Sequence, residues 1–228
     1  DLVNSPPIVR RVEDISDTRS QNARIALRFQ PNDNLDAVFT YLYQSDESDG
    51  RQIHNPFAGT GEDYVEYHST AEPYERDVDL TSLEVDVDFG FATLTSATSY
   101  YRNESDQSID YTDFWAVNVE PYYYSAFPRV VAPEQSISDD SGFVQEFRLR
   151  SNGSGSVDWL VGAFYSDVEN DVFSLYAVPG APEWNDLPRA PGDPGPYYFA
   201  NNTEVNAIFD RAISVQDLAV FGEITFHV

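Results

Sequence analysis

Apolar and polar residues alternate with a period of two along residues 143–167, the pattern of two half-buried strands. The first arm divides its side chains between two faces: Phe143, Gln145, Phe147 and Leu149 on one, and Val144, Glu146, Arg148 and Arg150 on the other. The second arm has an apolar face of Val157, Trp159, Val161, Ala163 and Tyr165. Residues 152–156 (NGSGS) between the arms are rich in types that accept a positive φ. Strands joined this tightly pair antiparallel.

The same alternation recurs along the chain and predicts an all-β fold, an antiparallel up-and-down meander of about seven long strands. The predicted strands lie near residues 20–30, 35–44, 78–88, 91–102, 142–151, 157–169 and 212–228. Short turns and long loops alternate strictly between them. In an up-and-down array this order places every short turn at one end and every long loop at the other.

Strand length and loop asymmetry together predict part of a transmembrane β-barrel. Arms of about ten residues or more suit a tilted strand crossing a bilayer, which needs roughly 9–11 residues. Outer-membrane barrels have short periplasmic turns and long outer loops, whereas a β-sandwich, the alternative for a single hairpin, has no reason to segregate them. The apolar faces would then point outward. The predicted lumen-facing residues are Glu146, Arg148, Arg150, Glu223 and His227.

Composition excludes several classes of function. The formal net charge is −26 and all 13 basic residues are arginine, so the chain repels phosphates and nucleic-acid binding is not expected. The chain has no cysteine, so it has neither disulfides nor a cysteine-based metal site. Its 15 tyrosines and 15 phenylalanines favour strands and membrane–water interfaces.

Several segments resemble TonB-dependent outer-membrane receptors, in particular the group found in proteobacteria such as sphingomonads. The segments are FVQEFRLRS (143–151), WLVGAFYSD (159–167), LAVFGEITF (218–226), ALRFQPNDNLDAVFTYLYQ (26–44) and FGFATLTSATSYYR (89–102). The resemblance covers the seven predicted strands and leaves the loops unassigned.

The resemblance implies a barrel of about 22 strands around a plug domain in the Gram-negative outer membrane, with long loops extracellular and in contact with lipopolysaccharide. Such receptors import a scarce small-molecule nutrient, such as a siderophore, cobalamin or carbohydrate, with energy delivered by TonB through the plug. Neither a plug domain nor a TonB box is recognisable in this chain. Residues 1–228 are therefore expected to be a single internal segment of the barrel.

Two loops carry candidate binding residues. An aromatic loop offers stacking and apolar area to a small-molecule ligand, although its rings could instead pack the loop on itself. Its residues are Tyr111, Phe114, Trp115, Tyr122, Tyr123, Tyr124 and Phe127. An acidic loop places Asp46, Glu47 and Asp49 before Gly50, which suggests calcium, against the plainer interpretation of a solvated acidic loop. Acidic loops could also hold divalent cations that bridge to lipopolysaccharide.

No catalytic motif is present, so we expect neither an enzyme nor a cofactor beyond calcium at the acidic loops. The alternative function is a surface-exposed or self-assembling β-rich structural or adhesive protein. Strands 20–30 and 212–228 would be the unpaired edges of a meander. The isolated segment is therefore expected to self-associate through those edges.

Overall fold

A computed structural model describes residues 12–51, 68–118, 131–153, 155–186 and 203–227. In these ranges seven strands form one antiparallel sheet in sequence order, so the predicted all-β meander is confirmed. The strands are β1 (Thr18–Asn32), β2 (Leu35–Ser48), β3 (Tyr74–Asp88), β4 (Ala92–Asp110), β5 (Pro133–Ser151), β6 (Val157–Ala177) and β7 (Val205–Phe226). The described ranges also contain two short helices, α1 (Thr112–Asn118) and α2 (Ala181–Asn185). The sheet is open, with β1 and β7 at its edges.

The two ends of the sheet differ as the sequence predicts. Residues 33–34, 89–91 and 152–156 connect strands at one end, the turn end, and residues 49–73, 111–132 and 178–204 connect them at the other, the loop end. Neighbouring turns are linked by backbone hydrogen bonds, since the Asp88 amide donates to the Asn34 carbonyl and the Asn152 amide to the Phe91 carbonyl. The turn end is therefore one continuous rim.

Most strands are longer than the sequence predicts, and the additional length lies at the loop end. β4 continues to Asp110, β5 begins at Pro133 and β7 begins at Val205. In these extensions polar residues occupy both faces, so the period of two disappears although the backbone pairing continues. β7, with 22 residues, extends about 70 Å at ~3.3 Å per residue.

The register divides the sheet into an apolar face and a polar face. Facing pairs such as Leu27 with Phe39 and Leu149 with Val161 lie on the apolar face. Its section near the turn end, the apolar band, contains no charged side chain. The band comprises Ile25, Leu27, Phe29, Leu35, Ala37, Phe39, Leu83, Val85, Val87, Leu94, Ser96, Thr98, Gln145, Phe147, Leu149, Val157, Trp159, Val161, Ala163, Tyr165, Leu218, Val220, Gly222, Ile224 and Phe226.

Nothing in the described part of the chain covers this band. Leu218 and Val220 are 80% and 78% exposed, and even on the central β5 Phe147 is 46% exposed. The buried apolar residues are few and lie outside the band: Ala92, Trp115, Ala132, Val178 and Ala181. A β-sandwich would instead bury one apolar face of each sheet in a common core. No described helix is long and apolar enough to cross a membrane.

Candidate functional site

Three tyrosines, the tyrosine row, lie at the limit of the apolar band that is nearer the loop end. Their hydroxyls point towards the loop end, where each donates to a carboxylate: Tyr41 to Asp79, Tyr43 to Asp77 at 2.9 Å, and Tyr165 to Asp167 at 3.2 Å. The rings thus lie against apolar surface while the hydroxyls reach a charged layer. This is the arrangement that places tyrosine at membrane–water interfaces.

The amide of Gln145, at the loop-end limit of the band beside Tyr165, has its hydrogen bonds satisfied inside the sheet. Its Oε1 accepts a 2.5 Å bond from the Thr98 hydroxyl. Its Nε2 lies 3.2 Å from the Ser96 hydroxyl and donates to the carbonyls of Ala97 and Glu146 at 3.2 and 3.1 Å. The band therefore presents this amide with its polar atoms already paired, which an apolar surrounding requires.

The five residues predicted to face a lumen all lie on the polar face, opposite the band. Glu146, Arg148 and Arg150 alternate with band residues along β5, and Glu223 does so along β7. Arg148 forms an ion pair with Glu146 two residues earlier. His227 follows β7, and its Nε2 lies 2.6 Å from a carboxylate oxygen of Asp158.

A polar ladder crosses the polar face on the loop-end side of the tyrosine row. Asn103, Asp140 and Asn170 are direct cross-strand neighbours on β4, β5 and β6. The Asn103 side chain donates to Asp140 at 3.2 Å, and Asn170 donates to the other oxygen of Asp140. Arg76 and Arg211 complete the ladder by donating to the side-chain oxygens of Asn103 and Asn170 at 2.7 and 2.9 Å. The carboxylate of Asp140 thus lies at the centre of a chain of five hydrogen-bonded side chains on five strands.

The ladder continues to the other edge of the sheet through Asp46. The Ser20 hydroxyl donates a 2.6 Å bond to Asp46, whose direct neighbour on β3 is Arg76. The alternation along the sequence does not reveal the ladder, because Asn103, Asp140 and Asn170 fall within one or two residues of the predicted strand ends. Extending the period of two across those ends is the signal that would have placed them on one face.

Two glycines on the polar face are covered by rings from neighbouring strands. Tyr101 lies over Gly142, where an added Cβ would be 2.7 Å from the ring Cζ. Phe221 lies over Gly162, where an added Cβ would also be 2.9 Å from the Phe147 carbonyl oxygen. Such rings shield the backbone that a glycine leaves bare within a sheet.

An aromatic–carboxylate cluster occupies the loop end of the polar face. Glu134, only 5% exposed, is the direct neighbour of Tyr176. Glu134 also lies near enough to Tyr111 to contribute to its raised pKa, of which burial is the main cause. The Tyr111 ring packs on Tyr176 at 5.9 Å between centroids and meets Phe114 edge-on at 6.3 Å. Burial, then the hydrogen bond to Glu134 and its negative charge, raise the pKa of Tyr176 to about 12.

A second buried carboxylate, Glu72, fastens two long loops together. Glu72 is 4% exposed and accepts from the Asp110 amide at 2.8 Å, and its carboxylate lies 3.4 Å from Arg51 and 3.3 Å from His68. Asp110 in turn accepts from the amide of Thr70 at 3.1 Å. The end of the 49–73 loop is thereby fixed against the start of the 111–132 loop.

The structure describes three of the seven predicted aromatic ligand residues. Tyr111 is half-buried and belongs to the aromatic–carboxylate cluster, whereas Phe114 is 54% exposed. Trp115 is 7% exposed and packs inward, with its amide donating to the Tyr111 carbonyl. Tyr122, Tyr123, Tyr124 and Phe127 lie outside the described residues.

The acidic trio predicted as a calcium site is not brought together. Asp46 and Glu47 lie within β2 and not in a loop, so their side chains point to opposite faces. Asp46 accepts from Ser20 and Gln44, while Glu47 pairs with Arg19 at 3.3 Å. Asp49 donates its backbone amide to the Asp17 carbonyl. Across the described ranges, no three His, Asp or Glu side chains are grouped to hold a metal ion.

Each central strand thus passes through three environments, from the uncharged band to the tyrosine row to an acidic, loop-bearing end. The polar face carries hydrogen-bonding groups along its whole length. Chemically, this face suits reversible binding of a polar or charged molecule at the loop end. Neither the models of known protein families nor the curated proteins contain a match to this chain.

Proposed function

We propose that the chain forms part of the wall of an outer-membrane β-barrel, in a TonB-dependent receptor that binds and imports a scarce small-molecule nutrient. The observation that carries the proposal is the uncharged, uncovered apolar band lying opposite a hydrogen-bonded polar face. Lipid would cover the band and water or a plug domain would meet the polar face. The long loops would be extracellular, next to lipopolysaccharide.

The dimensions of the band support this proposal. From Val157 to Tyr165 the band runs about 26 Å along β6 at ~3.3 Å per residue. At the ~40° tilt of barrel strands this gives about 20 Å of height, close to the ~25 Å apolar band of outer-membrane barrels. An unpaired polar group in hydrocarbon costs several kcal/mol. The satisfied amide of Gln145 avoids that cost.

The segments that resemble the receptor family also support the proposal by their positions. FVQEFRLRS, WLVGAFYSD and LAVFGEITF lie in the neighbouring strands β5, β6 and β7, and each occupies the turn-end half of its strand. The resemblance is therefore confined to the part of the sheet that carries the band. The loop end, where receptors of one fold differ in ligand, carries none of it.

Fractionation of the producing cells tests the location. We expect the protein to leave the envelope only with detergent, and release by salt or a chelator would contradict the barrel. The upstream sequence of the gene tests the receptor assignment. A plug domain followed by further strands is expected there, and its absence over several hundred residues would refute the import function.

A self-assembling structural protein is the second candidate, and the two edge strands favour it. β1 carries Arg19, Arg24 and Arg28 without an acidic residue, whereas β7 carries Asp210, Asp217 and Glu223 with one arginine. Opposite charges on unpaired edges favour head-to-tail pairing of copies. Light scattering of the 228-residue chain in detergent and in buffer tests this, since a stable monomer in both would exclude self-association.

A further inference from the structure

We propose that the loop end of the polar face binds an organic cation, with an ammonium group placed against the rings of Tyr111, Phe114 and Tyr176 above the carboxylate of Glu134. This inference rests on the proposed function, because it names the ligand class that the receptor would take. The sequence does not identify Glu134 or Tyr176 as site residues, because only the β5–β6 register brings them together.

The first support is the buried negative charge of Glu134. Its carboxylate is almost fully buried and lies near enough to Tyr176 and Tyr111 to raise the pKa of both phenols. Among the described residues no Arg or His forms an ion pair with it. Arg51 is near enough to lower the pKa of Tyr111, but its guanidinium pairs with Glu72. A buried carboxylate without a cation attracts one strongly, because little water screens it.

The second support is the ring geometry. The ring of Tyr111 lies 5.9 Å from that of Tyr176 and 6.3 Å from that of Phe114, and Phe114 is the exposed member of the three. An ammonium group is attracted to the face of an aromatic ring within about 6 Å of its centroid. Rings and a carboxylate together form the usual surrounding of a quaternary ammonium ligand, which carries charge but donates no N–H hydrogen bond.

The third support is the electrostatic field produced by the net charge of the whole chain. With a formal net charge of −26, the chain attracts cations from solution and repels anions. On the described part of the loop-end half, carboxylates outnumber arginines on the apolar face as well as around the cluster. A cationic ligand would be concentrated at the end of the sheet where the cluster lies.

Isothermal titration calorimetry on the detergent-solubilised 228-residue chain tests the proposal. The probes are tetramethylammonium chloride and tert-butyl alcohol, a neutral molecule of similar size. We expect saturable binding of tetramethylammonium and no binding of the alcohol at the same concentrations. Fluorescence of the packed Trp115 gives an independent readout of the same site.

Two substitutions in the cluster and one matched control complete the test. Glu134→Gln is expected to weaken tetramethylammonium binding roughly tenfold and Phe114→Ala about fivefold. Glu104→Gln removes an equal charge from an exposed side chain on the opposite face, and it should leave affinity unchanged. Phe114 is exposed, so Phe114→Ala keeps the test valid if Glu134→Gln fails to fold.

Three results would overturn the inference: no saturable tetramethylammonium binding, equal binding of both probes, or binding that both cluster variants leave intact. The fractionation experiment is independent of all three. A chain that binds the cation but leaves the envelope with salt would refute the barrel alone. If the protein leaves the envelope only with detergent but does not bind tetramethylammonium, the ligand class alone would be refuted.

Discussion

The hydroxyl of Tyr43 donates a 2.9 Å hydrogen bond to the carboxylate of Asp77 on the neighbouring strand, one row nearer the loop end. Tyr41 and Tyr165 make the same kind of bond in the same direction. The row therefore fixes where apolar surroundings end and charged ones begin. The polar ladder of Asp140 lies on the opposite face, nearer the loop end than these tyrosines.

Removing the Tyr43 hydroxyl should destabilise the folded chain measurably. Tyr43→Phe is expected to lower the free energy of unfolding by about 0.5–1.5 kcal/mol, since it removes one hydrogen bond and leaves Asp77 without that donor. Tyr100→Phe is the control, because Tyr100 is 50% exposed and is not among the tyrosines that donate to a carboxylate within the described residues. Urea unfolding in lipid vesicles measures both, and equal losses for the two variants would contradict the role of the pair.

Two substitutions of Gln145 separate the effect of side-chain shape from the effect of charge within the band. Gln145→Leu should be tolerated, because it replaces a satisfied amide with an apolar side chain of similar size in a surrounding of lipid. Gln145→Glu should greatly reduce membrane insertion, because a carboxylate on a lipid-facing strand is unfavourable. Detergent-extracted yield from the outer membrane measures both effects.

The matched control for Gln145→Glu lies on the same face above the band. Gln21 is exposed on β1, opposite Ser45, so Gln21→Glu adds the same charge where we expect water or headgroups. Insertion should therefore be unchanged. Equal insertion of all three variants would mean that lipid does not cover the band.

The period of two was enough to predict the seven strands, their order and the separation of turns from loops. It failed at the loop end. Asn103, Asp140 and Asn170 were assigned to loops because residues there are polar on both faces, so hydropathy cannot distinguish a strand in water from a loop. Backbone pairing carried over from the turn-end half keeps these residues in register.

Close packing at Gly162 should make a small substitution costly. A Cβ there would lie 2.9 Å from the Phe147 carbonyl oxygen, which cannot move without disturbing β5, and against the Phe221 ring. Gly162→Ala is expected to cost about 1–3 kcal/mol in unfolding free energy. Gly155→Ala, at a turn with open space around the added atom, is the control and should cost far less. Similar costs at both positions would contradict the packing described.

The pKa of Tyr176 gives a pH test of the aromatic–carboxylate cluster. The cluster lies outside the band, about 36 Å farther along β6 at ~3.3 Å per residue. Because burial and Glu134 raise this pKa from 10 to about 12, the neutral phenol favours the folded state. Its contribution is fully present below pH 10 and is lost as the pH rises from 10 to about 12.

Difference absorbance between the unchanged chain and Tyr176→Phe isolates this titration from those of the other tyrosines. In Glu134→Gln the pKa should fall but remain above 10, because burial is the larger cause. A Tyr176 titration unaffected by Glu134→Gln would show that the two side chains do not interact.

The aromatic–carboxylate cluster illustrates what a sequence alone withholds. Tyr111 and Phe114 were recognisable as exposed-loop aromatics, but Glu134 and Tyr176 join them only through the β5–β6 register, 42 residues apart in the chain. Trp115 was grouped with the ligand residues, yet it packs inward. Aromatic residues indicate a binding loop, but the burial of each ring depends on its neighbours in the fold. Composition does not specify those neighbours.

Lipid exposure of alternate residues on β4 tests the central claim most directly. The chain has no cysteine, so single spin labels can be placed at Ser96, Ala97, Thr98 and Ser99 of the complete protein in lipid bilayers. Labels at 96 and 98 should be relaxed strongly by oxygen and weakly by an aqueous nickel chelate, and labels at 97 and 99 should show the reverse. Equal access of the nickel chelate to all four positions would contradict a band that faces lipid.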